Sequence, residues 1–198
     1  MTPLFIASHP AIDFLNTALV PQGRAIELIG DGAAFVDWLA GAGLLSAAEL
    51  TTAKRRFSAK ALDSAAAEAR SVREWARDWI ARWRGAPAAD YRRELRLLNE
   101  LLGRDSRRRE VVPGDNGLRL VEHTSLDTPD ALLGRVASQI AALLTTEPPA
   151  MVKDCAGSGC TLWFLDRTKA HRRQFCSAAV CGNRAKVAAF RKRLRGQG

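Results

Sequence analysis

Apolar residues recur at three- and four-residue steps over most of the chain, a spacing that predicts a mostly helical protein. Phe35, Trp38 and Leu39 carry the pattern over 33–40, and Gly41-Ala-Gly43 stops it. Ser46 and Glu49, three apart, form the capping-box signature of the next helix. The longest pattern runs from Asp63 to Arg84, with Val72, Trp75, Trp79 and Trp83 on one face and Gly85 and Pro87 at its end. A further helix is predicted from Asp90, read as its N-cap, through Leu95, Leu98 and Leu102 to Gly103. Another follows Thr128-Pro129, with Leu132, Leu133, Val136, Ile140, Leu143 and Leu144 as its apolar face before Pro148-Pro149. Over 108–112 and 118–123 the period changes to two, about Pro113-Gly-Asp-Asn-Gly117, and predicts a β-hairpin. Residues 10–19 read as a short helix or extended lead-in, and 25–29 as a short strand closed by Gly30-Asp31-Gly32.

The tryptophan face of the long helix reads as core packing, with a subunit interface as the alternative. Its Arg70, Arg73, Arg77, Arg82 and Arg84 read as a solvated face balanced by Glu68, Glu74 and Asp78. The two helices joined at Gly41–Gly43 have the outline of a helix-turn-helix. An ordinary helical hairpin shares that outline, and the second helix offers only Lys54, Arg55 and Arg56 at its far end.

The chain has 198 residues, 47% of them apolar and 26% charged, which is enough to bury a core. Its net charge of +9 is not evenly spread. Up to Pro148-Pro149 basic and acidic residues cancel, so the whole excess lies in the tail with all four cysteines. The expected fold class is therefore α+β: a mostly helical body with a small β-hairpin over 1–147, joined to a small C-terminal zinc-binding module over 150–198 that ends in a helix. No apolar run is long enough for a transmembrane helix, and residues 1–15 carry no basic leader and meet Asp13 early. A reducing cytoplasm is the expected compartment.

Cys155 and Cys160 are separated by four residues, Cys176 and Cys181 likewise, and fifteen residues lie between the pairs. Two close pairs joined by a loop can turn four sulfurs onto one tetrahedral zinc ion. Gly157, Gly159 and Gly182 permit tight turns beside the sulfurs. A dithiol redox pair, an iron–sulfur cluster and four unrelated buried thiols are the competing fates, and His171 is a stand-in for one ligand. Four thiolates leave no open coordination position, so one structural zinc per chain is expected to hold together a module too small to fold by burial alone.

After Cys181 come Gly-Asn-Arg and a helix-forming run over 185–195. Val187, Phe190 and Leu194 make a narrow apolar edge, with Asn183 as the expected N-cap. Arg184, Lys186, Arg191 and Lys192, with Arg172 and Arg173 before Cys176, form the expected basic surface beside the metal. Thiolates plus zinc would contribute about −2, leaving the module near +7.

The tail Cys-Ala-Gly-Ser-Gly-Cys, then Trp163-Phe164-Leu165-Asp166, Arg172-Arg173-Gln-Phe-Cys-Ser and Cys181-Gly-Asn-Arg-Ala-Lys186 resembles the CGNR zinc finger of bacterial proteins. His9-Pro-Ala-Ile-Asp-Phe-Leu-Asn-Thr17 and Trp38-Leu-Ala-Gly-Ala-Gly43 are similar to motifs of the ABATE domain that usually precedes it. The resemblance spans nearly the whole chain and implies a stress-associated transcription regulator whose finger binds DNA. Phe175 stands where the family usually has Trp, and Gln174 interrupts the basic run.

Three functions follow for testing. The first is a DNA-binding regulator, supported by the segregated charge; the same footprint fits RNA, and one finger reads too little DNA alone, so a homodimer is expected. The second is a zinc-thiolate redox switch or protein-interaction module without direct DNA binding. The third, an enzyme, finds no catalytic constellation, phosphate-cradling loop or nucleophile elbow. His9, Asp13, Asn16 and Glu27 are candidates for a small-molecule effector pocket, with bracing of the first turns as the plainer role for Asp13 and Asn16.

Overall fold

The computed structural model describes residues 5–20, 23–115 and 117–195. Seven helices carry about half of the described chain: α1 (Pro10–Leu15), α2 (Gly32–Gly41), α3 (Ala47–Arg56), α4 (Ala59–Gly85), α5 (Arg92–Leu102), α6 (Ala131–Thr146) and α7 (Asn183–Arg195). Three antiparallel strand pairs accompany them: β1 (Ala18–Leu19) with β2 (Ile26–Glu27), β3 (Ser106–Gly114) with β4 (Gly117–Ser125), and β5 (Val152–Asp154) with β6 (Trp163–Leu165). This is the expected mostly helical α+β chain ending in a cysteine cluster and a helix. None of the helices among the described residues is long and apolar enough to cross a membrane.

Contacts divide the chain into two compact units, whose described residues fall in Gly30–Ser71 with Asp90–Ala141, and in Met1–Ile29 with Val72–Ala89 and Ala142–Gly198. In the first of these, Asp31 caps α2 through Ala34 N–H, and the capping box of Ser46 and Glu49 opens α3 as the spacing predicts. Gly32 lies so close to α4 that an added Cβ would fall 2.4 Å from the Leu62 carbonyl carbon. Arg135 is buried between Glu49 and Asp105 at 2.8 and 3.0 Å. The basic end of α3 is occupied, Lys54 by Asp37 and Arg56 by Asp127. The hairpin β3–β4 is longer than the alternation predicts and closes on a two-residue turn, of which Asn116 lies outside the described residues.

The expected helix starts need three adjustments. α4 begins at Ala59 rather than near Asp63, and α6 begins at Ala131, two residues after Pro129. α5 starts after Tyr91, with Asp90 accepting from Arg92 N–H just outside it.

The second unit contains the cysteines, and it is organised by the N-terminal motif. His9 caps α1, its Nδ1 accepting from Ala11 N–H, with Pro10 in the first turn. The Asp13 carboxylate accepts from Ile6 and Ala7 N–H. Asn16 brackets one residue of β6: its Nδ2 donates to the Trp163 carbonyl and its Oδ1 accepts from Trp163 N–H, at 2.8 and 2.9 Å. Leu165 N–H donates to the Ala7 carbonyl, so the segment before α1 pairs with β6 as well.

The C-terminal part of α4 supplies the other wall. Val72, Ala76, Trp79, Ile80 and Trp83 are buried and Trp75 is half-buried, so the tryptophan face is core, as its plainer reading has it. Arg73, Arg77 and Arg84 correct the expectation of a solvated face, to which the exposed Arg82 conforms. Arg73 is only 4% exposed, and its guanidinium clamps Glu27 at 2.8 and 2.7 Å while donating to Thr17 Oγ1. Arg77 donates to the Leu15 and Thr161 carbonyls, and Arg84 to the Val152 carbonyl and Asp154. Both guanidiniums lie against the Trp163 ring, 4.4 and 4.1 Å from its centroid. A periodicity count assigns such residues outward because they are charged; the long stems and planar forks of arginine let them reach buried carbonyls and rings instead.

Asn16→Ala orphans a buried N–H and a buried C=O of Trp163, and is expected to lower unfolding free energy by about 2–4 kcal/mol. Denaturant titration of the metal-loaded protein measures it. A change under about 0.5 kcal/mol contradicts the bracketing role.

Candidate metal centre

Each cysteine pair sits on a turn that the local sequence dictates. In the first, Cys155 N–H donates to the Leu162 carbonyl and Cys160 N–H to the Gly157 carbonyl, while Gly159 takes a left-handed φ of +67°. Gly157 packs against the second pair, where an added Cβ would meet Cys181 Cβ at 3.1 Å and Cys181 Sγ at 3.2 Å. In the second, a turn over Ala178–Gly182 is capped by Ser177, whose Oγ accepts from Val180 N–H, and runs directly into α7. Asn183 is thus already helical, with φ −66° and ψ −41°, and the expected N-cap role passes to Ser177. Arg184 and Lys186 therefore lie in the body of the helical segment rather than at its positive end.

The turns bring all four sulfurs within 4.8 Å of one another. Cys160 Sγ is 3.8 Å from Cys176 Sγ, which is 3.6 Å from Cys181 Sγ. A tetrahedron of Zn–S bonds near 2.3 Å has edges of about 3.8 Å, so the donor set and its spacing fit a four-thiolate zinc site. No cysteine is disulfide-bonded, and three of the four are buried.

Burial pushes the Cys155 thiol up, but N–H donation from Cys176 and Gly157 outweighs it and leaves the group below its ordinary value. Burial with neighbouring thiols pushes Cys176 up strongly and Cys181 up to about 11. A divalent cation at the centre reverses that balance by displacing the protons. His171, with φ +50°, is outside the cluster of possible ligands; its carbonyl accepts from Lys153 Nζ.

One residue that spacing did not single out organises the loop between the pairs. Asp166 is 1% exposed and accepts from Lys153 Nζ at 2.7 Å, Thr168 N–H and Oγ1, and Arg173 N–H. Burial opposes its charge, yet these donors hold its carboxyl well below the usual carboxylate range. Its sequence signals are its place at the end of the Trp163-Phe164-Leu165-Asp166 motif and its charge in a tail with eleven basic residues and one other acid.

The six cationic candidates separate into two groups. Arg172, Arg184, Lys186, Arg191 and Lys192 are exposed and form no ion pair among the described residues, and Arg193 shares that condition. Arg173 is different: its guanidinium donates to the carbonyls of Phe175, Leu165, Ile6 and Cys176 and to Ser8 Oγ, and lies 4.4 Å from the Phe164 ring centroid. All five of its N–H groups have acceptors. It ties the loop before Cys176 to the segment before α1.

The effector candidates His9, Asp13, Asn16 and Glu27 share this unit, each bonded to the chain itself. Burial lowers His9 and raises Asp13 relative to their ordinary values, the latter despite two N–H donors. His9 caps, Asp13 and Asn16 brace, and Glu27 pairs with Arg73.

Asp166 generates a pH prediction. A carboxyl depressed in the folded state contributes stability above its unfolded value near 3.9, lost as pH falls toward the folded value. Asp166→Asn is expected to be less stable at pH 7 and to show a flatter stability curve than the parent between about pH 5 and 3. Parallel curves contradict a stabilised charge.

Comparison with protein families places both halves. The CGNR zinc finger model matches residues 151–194, and the ABATE model, described as "Putative stress-induced transcription regulator", matches residues 8–147. Both are regulator or zinc-finger families rather than enzyme families. A comparison with curated proteins finds no match. The extent and order of the two matches show that the chain belongs to the ABATE family, with a CGNR zinc finger following its ABATE domain.

Proposed function

We propose that this chain is a DNA-binding transcription regulator whose finger, residues 150–198, presents cations to the duplex, while the body over 1–147 serves self-association or sensing. The observation that supports this most is the segregation of the whole +9 excess onto the cysteine-bearing tail, where Arg172, Arg184, Lys186, Arg191 and Lys192 stand exposed and unpaired among the described residues. Arg173 leaves the set of phosphate contacts because its guanidinium is committed inside the fold. Cys155, Cys160, Cys176 and Cys181 are the proposed ligands of one zinc per chain, which holds the finger together and takes part in no catalysis. A single finger contacts few base pairs, so the reading includes two chains acting together on DNA.

Two measurements test it. Purified protein is expected to hold one zinc per chain with four sulfur neighbours at about 2.3 Å by X-ray absorption, and Cys176→Ser to lose that metal. A site with nitrogen or oxygen neighbours contradicts the ligand set. In titrations with duplex DNA, five phosphate contacts give an expected log–log salt slope of about −4 to −5. Arg191→Gln should flatten the slope by about one, whereas Arg173→Gln should reduce stability and leave the slope of the folded fraction unchanged. Equal affinity after neutralising these five cations, with zinc retained, removes the main support for the reading. Tighter binding of RNA at the same salt moves it from DNA to RNA.

A further inference from the structure

Beside the sulfur cluster lies an apolar cavity of about 230 Å³ within the cysteine-bearing unit. Buried Leu162 and Cys176 form its inner wall, Ile6 and Leu19 its half-buried sides, and exposed Val180 and Arg184 its outer part. Two backbone N–H groups around it are already paired: Val20 N–H donates to Thr161 Oγ1 and Val180 N–H to Ser177 Oγ. The lining thus offers an incoming molecule mainly hydrocarbon and sulfur, with the Thr161 and Ser177 hydroxyls as its polar side chains besides Arg184. Apart from the cysteines, Arg184 is the one ionisable group lining it, and among the described residues that guanidinium has no ion pair.

We propose that this cavity is a binding site for a small aromatic monocarboxylate, its ring against Leu162 and the sulfur wall and its carboxylate on Arg184. Size sets the first limit. A dry cavity of roughly 150 Å³ holds benzene, so the larger volume here suits one ring with a short acid side chain. Charge sets the second, because one planar fork without a second cation, beside a thiolate–zinc shell that carries about −2, matches a singly charged carboxylate better than a phosphate dianion. Sulfur sets the third: the positive edge of an aromatic ring is attracted to polarizable sulfur, which favours a ring over an aliphatic chain of equal volume. The site is separate from His9, Asp13, Asn16 and Glu27, none of which lines the cavity. The inference does not rest on nucleic-acid binding and is tested without DNA.

The experiment is titration calorimetry of the zinc-loaded full-length chain with phenylacetate, acetate and phenylacetamide as probes. Phenylacetate is expected to bind one per chain, at least tenfold more tightly than either of the others, with a negative heat-capacity change. Arg184→Gln should reduce phenylacetate to the level of phenylacetamide while leaving phenylacetamide itself unchanged. Val180→Trp, which fills the outer part, should abolish binding of both with zinc content intact. Equal affinities for acetate and phenylacetate, or full phenylacetate binding in Arg184→Gln, overturns the proposal. So does a dimer seen by sedimentation that excludes phenylacetate and that Val180→Trp dissociates, because the cavity would then hold a side chain of a second copy.

Discussion

Four cysteine sulfurs drawn within 4.8 Å of one another constrain everything from Val152 to Gly182. The strands there are three residues each; Trp163, Phe164 and Leu165 are buried, but the loops that carry the cysteines are largely exposed and contain glycines and charges, with little apolar area of their own to fix their course. Thiols at that spacing attract one another weakly, and thiolates repel. The turns at Gly157, Gly159 and Ser177 nevertheless hold the sulfurs at tetrahedral-edge distances. The backbone geometry of the tail is intelligible as the shell of a cation, and a four-thiolate shell is closed to substrate.

What surrounds that shell comes from outside the finger's own sequence. Asn16 pairs with both polar groups of Trp163, Ala7 receives Leu165 N–H, and Arg173 reaches Ile6 and Ser8. From α4, Arg77 and Arg84 each combine a carbonyl contact with a place against the Trp163 ring. Cation–π contacts contribute about 0.5–2 kcal/mol each, and the buried Arg73 guanidinium is paired with the more exposed Glu27 carboxylate. The metal-binding tail, the opening motif and the end of the long helix therefore form one cooperative unit, in which the metal shell fixes the loops and the N-terminal motif fixes β6.

Much of this was legible in the sequence, and the failures have a common cause. The helices over 33–40, 47–56 and 63–84, the capping box and the hairpin followed from period and punctuation. The cysteine site followed from the spacing of two pairs. Pairings distant in sequence did not. Arg73, Arg77, Arg84 and Arg173 look like solvated charges because period ranks residues by polarity, whereas their partners lie 46, 84, 68 and 167 positions away. His9, Asp13 and Asn16 read as a possible pocket for the same reason: a polar motif without visible partners resembles a site until β6 and its own N–H groups supply them. Asn183 reads as a cap because the five-residue turn from Ser177 leaves no periodic trace.

Metal, opening motif and C-terminal α4 are expected to stand or fall together. Amide hydrogen exchange before and after chelation tests it most directly. Metal removal is expected to accelerate exchange across 152–182 and also across 5–17 and 72–85, while amides in 32–56 and 92–102 keep their protection. Acceleration confined to residues beyond 150 would contradict it, showing a finger that folds on its metal without support from the rest of its unit.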